Sequence, residues 1–188
     1  MDLLDELKRT KALLEGHFVL SSGLHSDSYV QCAKLLQYPV LAAEAGRDIG
    51  KKIKKFLPTK IVSPAIGGIV IGQEVARALG LPHIFIEKKD NVPQLRRGFE
   101  ITDKDNVIIV EDVVTTGLSV KETRKVVEEH GGNVRAISSL INRSGKENPF
   151  DIPYISLLDL KFEVYKPRDC PLCEEGIKAV KPGSRKDK

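Results

Sequence analysis

The sequence predicts an α/β fold, a mainly parallel sheet flanked by helices, with a small N-terminal hood. Three observations predict it. From residue 40 to 141, short runs rich in Ile and Val alternate with segments of helical spacing, the order that builds a parallel sheet covered on both faces. Two of these runs pass directly into glycine-bearing turns, Pro64-Ala65-Ile66-Gly67-Gly68 and Thr115-Thr116-Gly117-Leu118-Ser119, and each turn opens a helical segment. Before residue 40 the pattern changes to a leucine-rich amphipathic stretch followed by alternating residues around a Ser-Gly turn.

At 188 residues the chain is long enough for one substantial core, and 41% hydrophobic with 30% charged residues is a globular composition. The apolar runs are too short to cross a bilayer. The acidic start Met1-Asp2-Leu3-Leu4-Asp5-Glu6 lacks the basic region of a secretory signal, so the cytoplasm is the expected compartment. A formal charge of +4 suits an enzyme handling polyphosphate or a lysine-rich surface. No basic run is interleaved with aromatics, so neither nucleic acid nor membrane is an expected partner.

Taken in order, Leu3, Leu4, Leu7, Leu13 and Leu14 predict a helix over residues 2–15, stopped by Gly16. Residues 18–30 predict a hairpin or two edge strands. Pro39 to Leu57 predicts a second helix, with Leu41, Ala45, Ile49, Ile53 and Phe56 on one face. Lys60–Ser63 is a short strand, followed by the glycine turn and a helix over Ile69–Leu79. Pro82–Glu87 is another strand, and its His83 is read as structural. The polar stretch Lys88 to Gly98, broken by Pro93, reads either as a solvated mobile hairpin loop or as a lid carrying positive charge. Val120–Glu129 is helical, Val134–Ile141 is a strand, and Ile152–Leu160 gives a last strand that Phe162–Tyr165 extends. One domain is expected over residues 1–188: hood elements in 1–38, core in 39–165, and a peripheral tail in 166–188, frayed from Lys178. Cys170-Pro171-Leu172-Cys173 has metal-ligand spacing, but one pair is two ligands short of a structural zinc site, so an ordinary turn with reduced thiols is the expectation.

The chain is organised around Val107 to Ser119, V-I-I-V-E-D-V-V-T-T-G-L-S. Four apolar residues read as a buried parallel strand. Glu111 and Asp112 follow where the strand would leave its sheet. A turn of small hydroxyl residues and glycine then meets a helix N-terminus, a combination suited to holding a phosphate. Carboxylates that hold sugar hydroxyls beside a loop that holds phosphate together make a sugar-phosphate site.

Over these thirteen positions the chain resembles the type I phosphoribosyltransferases. The pattern Phe18-x-Leu20-x-Ser22-Gly23-x-x-Ser26-x-x-Tyr29 is similar to the hood of the orotate phosphoribosyltransferases in particular. The resemblance implies a type I phosphoribosyltransferase fold and transfer of the phosphoribosyl group of 5-phosphoribosyl 1-pyrophosphate (PRPP) to orotate, with Mg²⁺ held mainly through PRPP. It implies PRPP binding by Glu111, Asp112, Val113, Val114, Thr115, Thr116, Gly117, Leu118 and Ser119. Ala65, Ile66 and Gly67 would form the pyrophosphate loop. Lys88 and Lys89 would form a lid shared across a homodimer, catalytic together with Glu111 and Asp112. Thr115, Arg143 and Tyr29 would hold orotate. The chain departs from the family pattern at Ser21 and Gly67, where lysines occur in some members, and at Val92 and Gln94, where the lid carries a lysine and a histidine. Arg96 and Arg97 are the cations that could compensate. Two alternatives stay open: a purine-base phosphoribosyltransferase, and a ligand-sensing, nucleic-acid-binding regulator on the same fold.

Overall fold

The computed structural model describes residues 1–20 and 22–182. Ser21 and the last residues of the C-terminal stretch, 183–188, lie outside them. The chain divides into two compact units, a smaller one of Asp2–Leu35 with the chain from Lys161 onward, and a larger one spanning Leu36–Leu160 with Met1.

The smaller unit opens with α1 (Leu3–Arg9), whose N-terminus is capped by the Asp2 carboxylate accepting from the Leu4 and Asp5 amides. The helix stops well short of residue 15. The Thr10 hydroxyl turns back to the Glu6 carbonyl at 2.7 Å, and Lys11 takes a left-handed φ of 53°. Leu13 and Leu14, which continue the leucine spacing, instead begin strand β1 (Leu13–Val19). It pairs antiparallel with β2 (His25–Val30), with a bulge between Glu15 and Phe18. The short helix α2 (Ala33–Leu36) follows.

The larger unit begins with α3 (Pro39–Ile53), continued by a 3₁₀ turn over Lys54–Phe56. Then come β3 (Lys60–Pro64), α4 (Gly67–Leu79), β4 (His83–Lys89), β5 (Val92–Leu95), β6 (Asn106–Val114), α5 (Leu118–Glu129), β7 (Asn133–Asn142) and β8 (Tyr154–Asp159). The sheet order is β5-β4-β3-β6-β7-β8, with every neighbouring pair parallel except β4 and β5. From β3 the chain crosses through α4 to β4 on one side; from β6 it crosses through α5 to β7 on the other. Right-handed crossovers running in opposite directions put their helices on opposite faces of the sheet. The strand interiors agree: Val107 and Ile109 cluster with Val120, Val126 and Val127 of α5, while the alternate residues Ile108 and Val110, equally buried, face the other way. The place where the winding reverses, between β3 and β6, is where such sheets open a crevice at their carboxyl ends.

Two further expectations change here. The stretch after Glu87 is an extension of the sheet. Asp90 and Asn91 form a two-residue turn with φ of 53° and 63°, and β5 folds back antiparallel on β4 with Pro93 opposite Lys88. Asp and Asn tolerate left-handed φ, and Pro lacks an N–H, which an edge strand can spare. The chain after Leu160 is likewise neither a continuation of the last strand nor, over the described residues 166–182, a peripheral tail. Instead of extending β8, β9 (Val164–Tyr165) pairs with β2 in the other sheet. Helix α6 (Pro171–Glu174) follows, and Val180 bonds β1 through Val19 N–H and the His17 carbonyl at 2.9 and 2.8 Å. Backbone pairing with β1 thus holds the chain as far as residue 180, inside the stretch expected to fray.

Candidate active site

Strand β6 carries the acids inside it, for the ladder with β7 continues to Val114 opposite Asn142. Glu111 and Asp112 therefore point to opposite sides, as period two requires. Glu111 is 5% exposed, accepts from the Ser119 hydroxyl at 2.8 Å and from the Asp112 amide at 3.0 Å. Burial, and then the Asp112 charge beside it, push its carboxyl well above the usual carboxylate range. Asp112 is half-buried. A Cβ built on Gly67 would lie 2.6 Å from its Oδ1, so the carboxylate fills the space where the first helical residue of α4 would carry a side chain. One on Gly68 would meet the Val110 carbonyl at 2.9 Å and Glu111 Oε1 at 3.0 Å. The β3–α4 turn and β6 are thus packed together through glycine, and a lysine at Gly67 would need Asp112 to move. The peptide bond between Ala65 and Ile66 is cis.

Beyond β6, Thr115 and Thr116 are exposed, and Gly117 sits at the N-cap of α5 with φ of 73°. Phe150 lies beneath it, so that a Cβ there would be 2.8 Å from the ring. Neither α4 nor α5 has a side-chain cap or an acid in its first turn, which leaves both N-termini electropositive at the same edge of the sheet. Val113 lies half-buried and Val114 buried in the strand, whereas Leu118 and Ile66 are exposed at 60% and 84%. Arg143 follows β7, and its amide bonds the Val114 carbonyl at 2.7 Å, which sets it beside Thr115.

The structure therefore brings together residues 65–67, 111–119 and Arg143. Lys88 and Lys89 lie on the β4–β5 hairpin, exposed, with Lys88 paired to Glu122 of α5 at 2.6 Å. Arg97 pairs with both oxygens of Glu87 at 3.0 Å and Arg96 with one at 3.4 Å, so both arginines are committed to a carboxylate of their own hairpin. Tyr29 lies on β2 of the smaller unit, its ring 5.8 Å from that of Phe18. His83, read as structural, contacts Ser63 and Gln73, and burial lowers its pKa to about 4. Sequence reasoning missed Glu122 and Phe150. Glu122 shows no signal beyond its place on the helix after the motif; Phe150 shows none.

This geometry agrees with comparisons to known proteins. A family model described as phosphoribosyl transferase domain matches residues 33–165. The chain is 48% identical over 179 residues to the orotate phosphoribosyltransferase of Thermotoga maritima, covering 95% of this chain and 96% of that one. It belongs to the orotate phosphoribosyltransferase family. Another member, from Caldanaerobacter subterraneus subsp. tengcongensis, is 45% identical over 184 residues, covering 98% of this chain and 97% of its own. The crystal structure of the orotate phosphoribosyltransferase from Aeropyrum pernix shares the fold with a TM-score of 0.71 at 24% identity, over 84% of this chain and 93% of that one. Among the described residues no helix is long and apolar enough to cross a membrane.

Proposed function

We propose that this chain transfers the phosphoribosyl group of PRPP to orotate, giving orotidine 5′-phosphate and pyrophosphate in pyrimidine biosynthesis in the cytoplasm. The observation that carries the reading is the Asp112 carboxylate set against Gly67, between two helix N-termini at the switch point of the sheet. It puts a carboxylate for sugar hydroxyls between two anion sites, the layout that a pyrophosphorylated sugar phosphate requires.

The residues divide the work as follows. Amides and hydroxyls of Thr115 to Ser119, with α5 behind them, hold the 5′-phosphate. The turn of Ala65, Ile66 and Gly67, with α4 behind it, holds the pyrophosphate. Asp112 holds the ribose hydroxyls and favours positive charge developing at the sugar carbon as its bond to pyrophosphate oxygen breaks. Glu111 acts from beneath: its hydrogen bonds to Ser119 and to the Asp112 amide fix the phosphate loop relative to the carboxylate. Arg143 pairs with the orotate carboxylate, the Thr115 backbone orients the ring, and Tyr29 stacks on it as the resemblance implies. The orotate ring nitrogen forms the new bond to the sugar and gives up its proton without a protein base.

The oxygen-only donor set fits Mg²⁺, which binds through one or two carboxylates and substrate phosphates while keeping several waters. Asp112 would hold it through that water shell, and the ion would supply positive charge to the pyrophosphate. In a homodimer, Lys88 and Lys89 of one chain neutralise the leaving group in the other, and Lys88 must release Glu122 to do so.

Pyrophosphate release from PRPP and Mg²⁺ tests this reading, with orotate, adenine, guanine or hypoxanthine supplied singly. Orotate alone should support release. Release with a purine base but not with orotate would transfer the chain to the purine alternative.

A further inference from the structure

The smaller unit contains a second polar centre with no part in this chemistry. His17 Nε2, His25 Nδ1, Cys170 Sγ and Cys173 Sγ all lie within 4.8 Å of one another. The two imidazole nitrogens are 2.8 Å apart; Cys173 Sγ is 3.3 Å from His25 Nδ1 and 3.8 Å from His17 Nε2, and Cys170 Sγ is 3.5 Å from His17 Nε2. Zinc bound tetrahedrally at ordinary Zn–N and Zn–S lengths requires edges of roughly 3.3 Å between nitrogens, 3.6 Å between nitrogen and sulfur and 3.8 Å between sulfurs. Three of the four nitrogen–sulfur distances fall within about 0.3 Å of that, and the nitrogens need to separate by about half an ångström.

We propose that His17, His25, Cys170 and Cys173 form a structural zinc site that ties the smaller unit together. Four features of the fold support it. First, His17 Nδ1 donates to the Ile177 carbonyl at 2.6 Å, which fixes the proton on that nitrogen and turns the Nε2 lone pair toward the other three atoms. This outer contact is the one metal-bound histidines regularly make. Second, Cys170-Pro171-Leu172-Cys173 is wound so that Cys173 N–H donates to the Cys170 carbonyl at 3.0 Å, presenting both sulfurs to one side. Third, three of the four ligands are buried: Cys170 is fully buried, with His17 and His25 at 3% and 9% exposed, while the exposed Cys173 leaves a path for entry. Thiols are weak hydrogen-bond partners, so as a set of reduced side chains the four would give little in return for being buried together.

The fourth feature is what the centre joins. β1, β2 and the C-terminal turn meet there, and the turn is 153 positions from His17. The unit is small, with a three-stranded sheet whose third strand is only Val164–Tyr165. Units this small gain much of their stability from a disulfide or a metal, and neither Cys170 nor Cys173 is in a disulfide. Two sulfurs and two imidazoles select zinc over magnesium or calcium. With two thiolates and two neutral imidazoles the filled site carries no net charge, and the two thiol protons leave on binding.

The test uses the full chain without a histidine tag, stripped by chelator, reloaded with zinc under reducing conditions and freed of excess. One zinc per chain is expected. Replacement by Co²⁺ should give the intense visible bands and thiolate charge transfer of a tetrahedral sulfur–nitrogen site. Cys173→Ser, which alters the exposed ligand, and His25→Gln should each lose the stoichiometric metal. Wild-type chain that retains no zinc, an octahedral cobalt spectrum, a Cys170–Cys173 disulfide under reducing conditions, or full zinc content in both variants would overturn the proposal. The cobalt spectrum of the wild type decides even where a variant does not fold.

Discussion

Strand β6 and the His–Cys centre both bury groups that water would rather keep, and they do so for opposite ends. In the larger unit, apolar packing on both sides of the sheet holds the backbone, and Glu111 is a polar intrusion into a structure already stable without it. In the smaller unit few apolar side chains are available, and the polar centre itself joins the strands. A large core can support a functional group that costs stability; a small one needs its polar groups to supply stability.

Removing metal should expose this contrast most strongly. Chelation should abolish amide-exchange protection in β1 and β2, a loss of several kcal/mol on the scale of structural zinc sites, while β6 and β7 stay protected. Equal loss in both units would break the comparison. Gly117→Ala comes next. With φ of 73° and the Phe150 ring 2.8 Å from a new Cβ, it should cost about 1–3 kcal/mol in thermal or denaturant unfolding and weaken phosphate binding. Phe150→Leu should restore part of the stability.

Glu111→Gln sharpens the point by pH. The folded pKa of Glu111 lies well above its ordinary value of 4.5, so above that value the folded chain holds a proton the unfolded chain has released. Wild-type stability therefore falls as pH rises from about 4.5 through the folded pKa. The Gln variant lacks this slope. It should gain Tm relative to wild type as pH increases, while losing turnover because Gln keeps only one acceptor for the Ser119 and Asp112 donors. The smallest effect is expected for the Lys88–Glu122 pair, whose exposed lysine limits its coupling to below about 1 kcal/mol in a double-mutant cycle of stability.

How much of this was legible in sequence follows from the range of the interactions. Strand β6, its acids and the glycine turn are specified by neighbouring residues: β-branched side chains, a glycine at positive φ, and a helix start. The reach of the strand through Val114 was missed because the ladder with β7 sets it. The first helix was overextended because Leu13 and Leu14 keep helical spacing, whereas the Thr10 hydroxyl and the pairing of Leu13 with Val30 decide the outcome. Cys170 and Cys173 were visible as a pair, but the histidines that complete the set lie some 150 positions away on two strands, and only the folded chain joins them.

The central claim is that Asp112, at the rim of the switch-point crevice, carries phosphoribosyl transfer. The decisive measurement is orotate consumption by absorbance, with PRPP and Mg²⁺, for the wild type and Asp112→Asn, whose folding is checked by circular dichroism. The account predicts robust wild-type turnover that falls by about 10²–10³-fold in the folded variant. Wild-type turnover undiminished in Asp112→Asn would contradict it.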